Sequence, residues 1–63
     1  MKLLNIEQAA EYLKVAKSTL SREDWRQRTG VPFFRIGAAI RFDQDALDAW
    51  LVDLARASLA AHK

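Results

Sequence analysis

Three observations predict an α+β fold that is mainly helical. Residues 8–20, QAAEYLKVAKSTL, read as a short amphipathic helix, a three-to-four-residue turn and the opening of a second helix, the helix-turn-helix layout whose second helix can enter a DNA major groove. Residues 33–42, FFRIGAAIRF, alternate apolar and basic side chains on either side of Gly37, the pattern of a β-hairpin. Residues 43–54 open on acidic residues and then carry apolar ones at helical spacing, the mark of a last helix.

Leu3 and Leu4 lead in as a short extended segment. Asn5 is a good N-cap, and Gln8 stands three residues on, as a capping box requires. Ile6, Ala9, Ala10 and Leu13 then mark one face of helix 1, while Glu7 and Glu11 lie off it and suit the positive end of the helix dipole. Lys14-Val15-Ala16 forms the turn, with Val15 directed inward. Helix 2 begins near Lys17, and Leu20 is its inward anchor. Lys17, Ser18, Ser21 and Arg22 share a broad outward face.

Trp25 falls five residues after Leu20, which would take it off the buried face of an unbroken helix. Either the helix tightens or breaks near Glu23-Asp24, with Ser21 and Asp24 capping a fresh turn, or Trp25 packs at the edge of the core. Thr29-Gly30-Val31-Pro32 is a turn. In the hairpin, a three-residue loop of Gly37-Ala38-Ala39 opposes Phe34 with Phe42, Arg35 with Arg41 and Ile36 with Ile40, which keeps the apolar residues on one face. Asp43 caps the last helix, Asp45 stands in its first turn, and Ala46, Leu47, Trp50, Leu51 and Leu54 form its stripe. The alanine-rich stretch from about Arg56 is expected to fray. The expected core comprises Ile6, Ala10, Leu13, Val15, Leu20, Phe34, Ile36, Phe42, Leu47, Trp50 and Leu51.

Sixty-three residues fit one domain, residues 1–63, which buries only ~60% of its unfolded surface. Without cysteine there is no disulfide framework and no thiolate metal site. No apolar run approaches the ~20 residues of a membrane span, and the polar turn at Asn5 is too early for a secretion signal. A cytoplasmic protein is expected. The net charge of +2 is unevenly spread: residues 1–42 hold eight Lys/Arg against four Asp/Glu, and residues 43–63 hold two against four. A basic body with an acidic final helix suits one polyanion-facing side.

Catalytic chemistry finds no footing. His62 is the only histidine and falls in the tail expected to fray. No serine or threonine has a base within a plausible arrangement. Asp43, Asp45 and Asp48 match neither a calcium loop nor a zinc site. Catalytic residues, metal ligands and cofactors are therefore expected to be absent. The cations offer more. Arg35 and Arg41, opposed on the solvent side of the hairpin, repel one another; either they splay into solvent, or a phosphate bridges their forked donors. On helix 2, Arg22 suits a guanine edge, Ser18, Thr19 and Ser21 suit phosphate or base, Lys17 suits phosphate, and Arg26 suits either.

The ordered segments QAAEYLKVAKSTL, VPFFRIG, IRF and ALDAWL, spanning Leu3 to Leu51, resemble the excisionase-like group of small winged helix-turn-helix proteins, related to the MerR-type DNA-binding domain. The resemblance implies that helix 2 lies in the major groove and that the hairpin, as a wing, rests on the adjacent backbone or minor groove. By position it implies a recognition helix of Lys17, Ser18, Thr19, Ser21 and Arg22 and a wing of Arg35, Gly37 and Arg41. Many such proteins are excisionases, or recombination directionality factors, which bind repeated sites in an attachment region, bend DNA and assist an integrase. Others regulate transcription of phage, plasmid or integrative-element genes. Three positions depart from the group: Lys14 where glycine is usual, Ala16 where a serine cap is usual, and Ala38-Ala39 where the wing tip is commonly basic.

Together these readings predict a winged helix-turn-helix with two short helices, a two-stranded wing and a C-terminal helix. Its expected role is non-catalytic, sequence-specific binding of double-stranded DNA as an excisionase, encoded by a bacterium or phage and associated with the nucleoid. Expected partners are duplex DNA, an integrase or recombinase, and further copies of itself on adjacent sites, with no membrane and no small-molecule substrate. The alternatives are a small transcriptional regulator, a protein-binding adaptor without DNA contact, and a regulatory peptide that binds no nucleic acid.

Overall fold

The computed structural model describes residues 2–61, with side chains through residue 59. In chain order it contains β1 (Leu3–Leu4), α1 (Ile6–Leu13), α2 (Lys17–Ser21), α3 (Glu23–Thr29), β2 (Phe34–Ile36), β3 (Ala39–Asp43) and α4 (Gln44–Ala61). This is the α+β architecture of a winged helix-turn-helix, with two additions to the predicted outline: the helix α3, and β1 as a third strand.

Local signals set the first helices. The Asn5 side chain accepts the Gln8 amide at 2.8 Å, and Gln8 Oε1 accepts the Asn5 amide at 2.9 Å, closing the capping box. α1 ends where Lys14 enters the left-handed region at φ 60, ψ 40. The Val15 amide then donates to the Ala10 carbonyl at 3.0 Å, a Schellman-type closure. Ala16 is the N-cap of α2 and supplies no side-chain bond. Leu20, fully buried, anchors α2.

The break after α2 resolves the placement of Trp25. Arg22 is extended (φ −77, ψ 124) and joins α2 to α3. Restarting the helix there returns Trp25 to the edge of the core. Ser21 caps nothing; its hydroxyl donates back to the Lys17 carbonyl at 2.8 Å. α3 ends at Gly30, whose φ of 72 provides a left-handed cap.

The sheet is antiparallel in the order β1-β3-β2. Leu3 pairs with Asp43 and Leu4 with Phe42. On the other side, Phe34 pairs with Arg41, Arg35 with Ile40 and Ile36 with Ala39. The hairpin loop is therefore Gly37-Ala38, not the predicted three residues. Gly37 alone in this loop has positive φ, at 63, as the first position of a type II′ turn requires, and that turn's twist matches the strands. The shift moves alternate side chains to the other face. Leu4, Arg35, Ile40 and Phe42 share the core side; Leu3, Phe34, Ile36 and Arg41 share the outer side. The predicted register set all four hairpin apolar residues on one face and sent Phe34, Ile36 and Phe42 into the core. Instead Leu4 from β1 and Phe33 ahead of β2 supply apolar groups to it, and Phe34 and Ile36 stand 40% and 55% exposed.

The buried core is Leu4, Ala9, Ala10, Leu20, Val31, Phe42 and Leu47, flanked by half-buried Ile6, Leu13, Val15, Trp25, Phe33, Ile40 and Trp50. Of the predicted core, Phe34, Ile36 and Leu51 are exposed. Asp43 caps α4 by accepting the Ala46 amide at 3.2 Å. Trp50 Nε1 donates to the Thr29 carbonyl at 3.1 Å, tying α4 to the end of α3, and the Tyr12 hydroxyl donates to Asp48, tying it to α1. The helix continues through Arg56 to Ala61, where fraying is predicted; the expectation for His62 lies outside the described residues. Among the described residues, no helix is long and apolar enough to cross a membrane.

Candidate nucleic-acid interface

Two elements present the predicted site residues. α2 leaves Lys17, Ser18 and Ser21 exposed, with Thr19 half-buried and Arg22 exposed just beyond its end. Lys17 occupies the first turn of α2, the end of a helix where a cation opposes the dipole. Folding gains nothing from it there. The wing adds Arg41, half-buried, whose Nη1 donates to the Ile40 carbonyl at 2.8 Å. Lys17 and Arg41 line one open groove together with Asn5, Glu7 and the wing residues Ala38, Ala39 and Ile40. The structure thus brings the start of α2 and the wing to one side.

Arg22 is held by Asp24. Its Nη2 lies 2.9 Å from Asp24 Oδ2 and its Nε 3.3 Å from Oδ1. The hydrogen bond and the opposed charge hold Arg22 above its ordinary range. The same hydrogen bond keeps the Asp24 carboxyl below the usual carboxylate range, aided by Arg28. Both side chains remain more than half exposed, and such a pair in water is worth little. It presents an oriented guanidinium that can exchange its carboxylate for a phosphate or a guanine edge at small cost.

The predicted opposition of Arg35 and Arg41 does not exist. They lie on opposite faces of the ribbon, because Arg35 faces Ile40 and Arg41 faces Phe34. A single phosphate between the two is excluded. Arg35 instead reaches Glu23 Oε2 at 3.5 Å and lies 5.9 Å from the Phe33 ring centroid. Gly37 makes the wing turn and is exposed, and a Cβ there would meet no atom within 4 Å.

Arg26 does not belong to the exposed surface. It is 4% exposed, its Nη1 donates to the Leu20 carbonyl at 2.9 Å, and its guanidinium lies 4.8 Å from the Phe33 centroid. The break at Arg22 is the physical reason: restarting the helix turns Arg26 inward with the core, so no DNA group can reach it. Sequence reasoning also missed Asp24 and Glu23 as the groups that hold Arg22 and Arg35. The run Arg22-Glu23-Asp24 at a helix start was the available signal. Among the described residues, no group of three or more His, Cys, Asp or Glu is placed to hold a metal ion.

A family model described as a helix-turn-helix domain matches residues 3–52, from the start of β1 into α4. That family consists of excisionase-like small DNA-binding domains. No curated protein and no solved structure matches the chain.

Proposed function

The chain belongs to the helix-turn-helix domain family, and on that premise we propose that it binds duplex DNA sequence-specifically as an excisionase. α2 enters the major groove. Arg22 reads a base edge, Ser18, Thr19 and Ser21 contact bases or phosphates, and Lys17 meets the backbone. The wing follows the neighbouring backbone through Arg41 and the Gly37 turn. Arg35, on the far face, makes at most a flanking contact. Copies on repeated sites near an attachment region bend the DNA and assist a partner integrase. A single module of this size covers ~600–1,000 Å² of DNA, so neighbouring copies or the integrase supply the remaining affinity.

The observation that carries this reading is the groove shared by Lys17 and Arg41. A cation at the start of α2 and a cation of the wing both line it, which supports one DNA backbone passing both. A salt titration tests it. Lys17 and Arg41 on phosphates contribute about −2 to the slope of log affinity against log salt. Replacing Lys17 and Arg41 together by alanine makes that slope shallower by about 2. A slope unchanged by the double variant would refute the shared contact, and a flat slope in the parent would favour a protein-binding adaptor. The excisionase role is tested by footprinting an attachment region with and without integrase. Protection that leaves recombination unaffected would point to a transcriptional regulator.

A further inference from the structure

We propose that Arg26 is a positioning residue: with Phe33 it forms a strut that fixes the pose of the wing relative to α2. The proposal rests on the DNA-binding reading above and adds the device that keeps two separate elements in register on one duplex.

The strut is continuous in space. The Leu20 carbonyl lies in the last turn of α2, where helix carbonyls lack an intrahelical partner. Arg26 Nη1 donates to it at 2.9 Å. The same guanidinium lies 4.8 Å from the centre of the Phe33 ring, and Phe33 immediately precedes β2 of the wing. On the wing, Arg35 is 5.9 Å from that ring and 3.5 Å from Glu23 at the start of α3. The end of the recognition helix, α3 and the root of the wing are thus linked through one buried cation.

Stability alone does not account for this arginine. It is buried, makes neither of the two ion pairs found among the described residues, and its Nε has no hydrogen-bond partner. A buried charge without a counter-ion is costly, and apolar residues of similar volume often replace buried charged groups without loss. An apolar side chain would fill the space but would make no directed link between the α2 carbonyl and the Phe33 ring. Direction is what a two-element grip on DNA requires, because a small error in the pose of the wing removes Arg41 from the backbone.

The test is a double-mutant cycle on duplex binding by the full chain, with a duplex selected against the parent. Arg26→Met keeps the apolar stem and removes the fork. The variant is expected to melt cooperatively with parental helix content, to bind more weakly, and to show a shallower salt slope by about 0.9. Arg41→Ala weakens the parent but adds little in the Arg26→Met background, a coupling of roughly twofold to a hundredfold. Phe33→Leu removes only the ring and no charge. It is expected to reproduce both the shallower slope and the coupling, and it serves alone if Arg26→Met fails to fold. Losses that simply multiply, or a parental slope in Phe33→Leu, overturn the strut while leaving the DNA reading intact. A parent that binds no duplex overturns the DNA reading and the strut with it.

Discussion

Replacing Lys14 by glycine should stabilise this protein, and the size of the gain follows from one backbone angle. Lys14 is the only non-glycine residue with positive φ among the described residues, at φ 60. The left-handed conformation costs a non-glycine residue about 1–2 kcal/mol. Glycine removes that cost but adds about 0.4–1 kcal/mol of unfolded-chain entropy. The net expectation is a gain of about 0.5–1 kcal/mol. Lys14 is exposed and in no ion pair among the described residues, so Lys14→Ala is the control that loses the charge and keeps the strain. In urea, with a slope of about 1 kcal/mol/M for a chain this small, the midpoint of Lys14→Gly should exceed that of Lys14→Ala by roughly 0.5–1 M. The corresponding shift in Tm is about 2–8 °C. The hydrogen bonds that the Lys14 and Val15 N–H groups donate to the Ala10 and Glu11 carbonyls need no side chain and survive the change. A glycine variant no more stable than the alanine control would refute the reasoning, because the strain would then be absent from the folded state.

Four further outcomes are expected. Ala16→Ser adds the missing acceptor at an N-cap already extended at φ −67, ψ 140, and should raise stability by about 1 kcal/mol in the same urea assay; no gain would show that the cap geometry is wrong. Gly37→Ala meets no atom within 4 Å, so its cost is the left-handed φ of 63, about 1–2 kcal/mol, less about 0.4–1 kcal/mol of unfolded-chain entropy, a net loss of about 0.5–1 kcal/mol by thermal melt. Tyr12 is the single tyrosine, and its hydrogen bond to Asp48, with desolvation and the Asp48 charge, raises its pKa. The folded state therefore favours the protonated phenol: this tie is complete below pH 10 and is lost as pH rises through the elevated folded value. Tyrosinate absorbance should titrate above 10 in the parent and lower in Asp48→Asn; identical midpoints would refute the bond. Asp24→Asn frees the Arg22 fork from its orienting carboxylate and should lower base discrimination at the base pair proposed for Arg22, measured by competition with single-base variants of the site; unchanged preference would refute that orientation.

What was legible in the chain and what was not divide along the range of the interactions. The Asn5–Gln8 box and the Asp43 cap were readable, because each joins residues within four positions of one another, and the family resemblance marked the glycine-less end of α1 at Lys14 and the bare N-cap at Ala16. The family pattern carried the order of elements for the same reason, since each of its segments is local. The hairpin register was not readable in this way. Phe34, Ile36, Ile40 and Phe42 satisfy a three-residue loop as well as hydrophobic patterning can. What decides against that loop is the two-residue turn that Gly37-Ala38 makes, together with Leu4 arriving from β1 and Phe33 from ahead of β2 to supply the apolar groups that Phe34 and Ile36 do not. The candidate site divides the same way. The exposed cations of α2 were legible by spacing, whereas the face of each wing arginine followed the register and Arg26 followed the break at Arg22. One residue of slip in the wing separates Arg35 from Arg41, and one extended residue after α2 turns Arg26 from a surface cation into an interior one. For a protein this small, the surface it offers to DNA is therefore set less by which cations it carries than by two short backbone segments, Arg22 and Gly37-Ala38, that decide where those cations face.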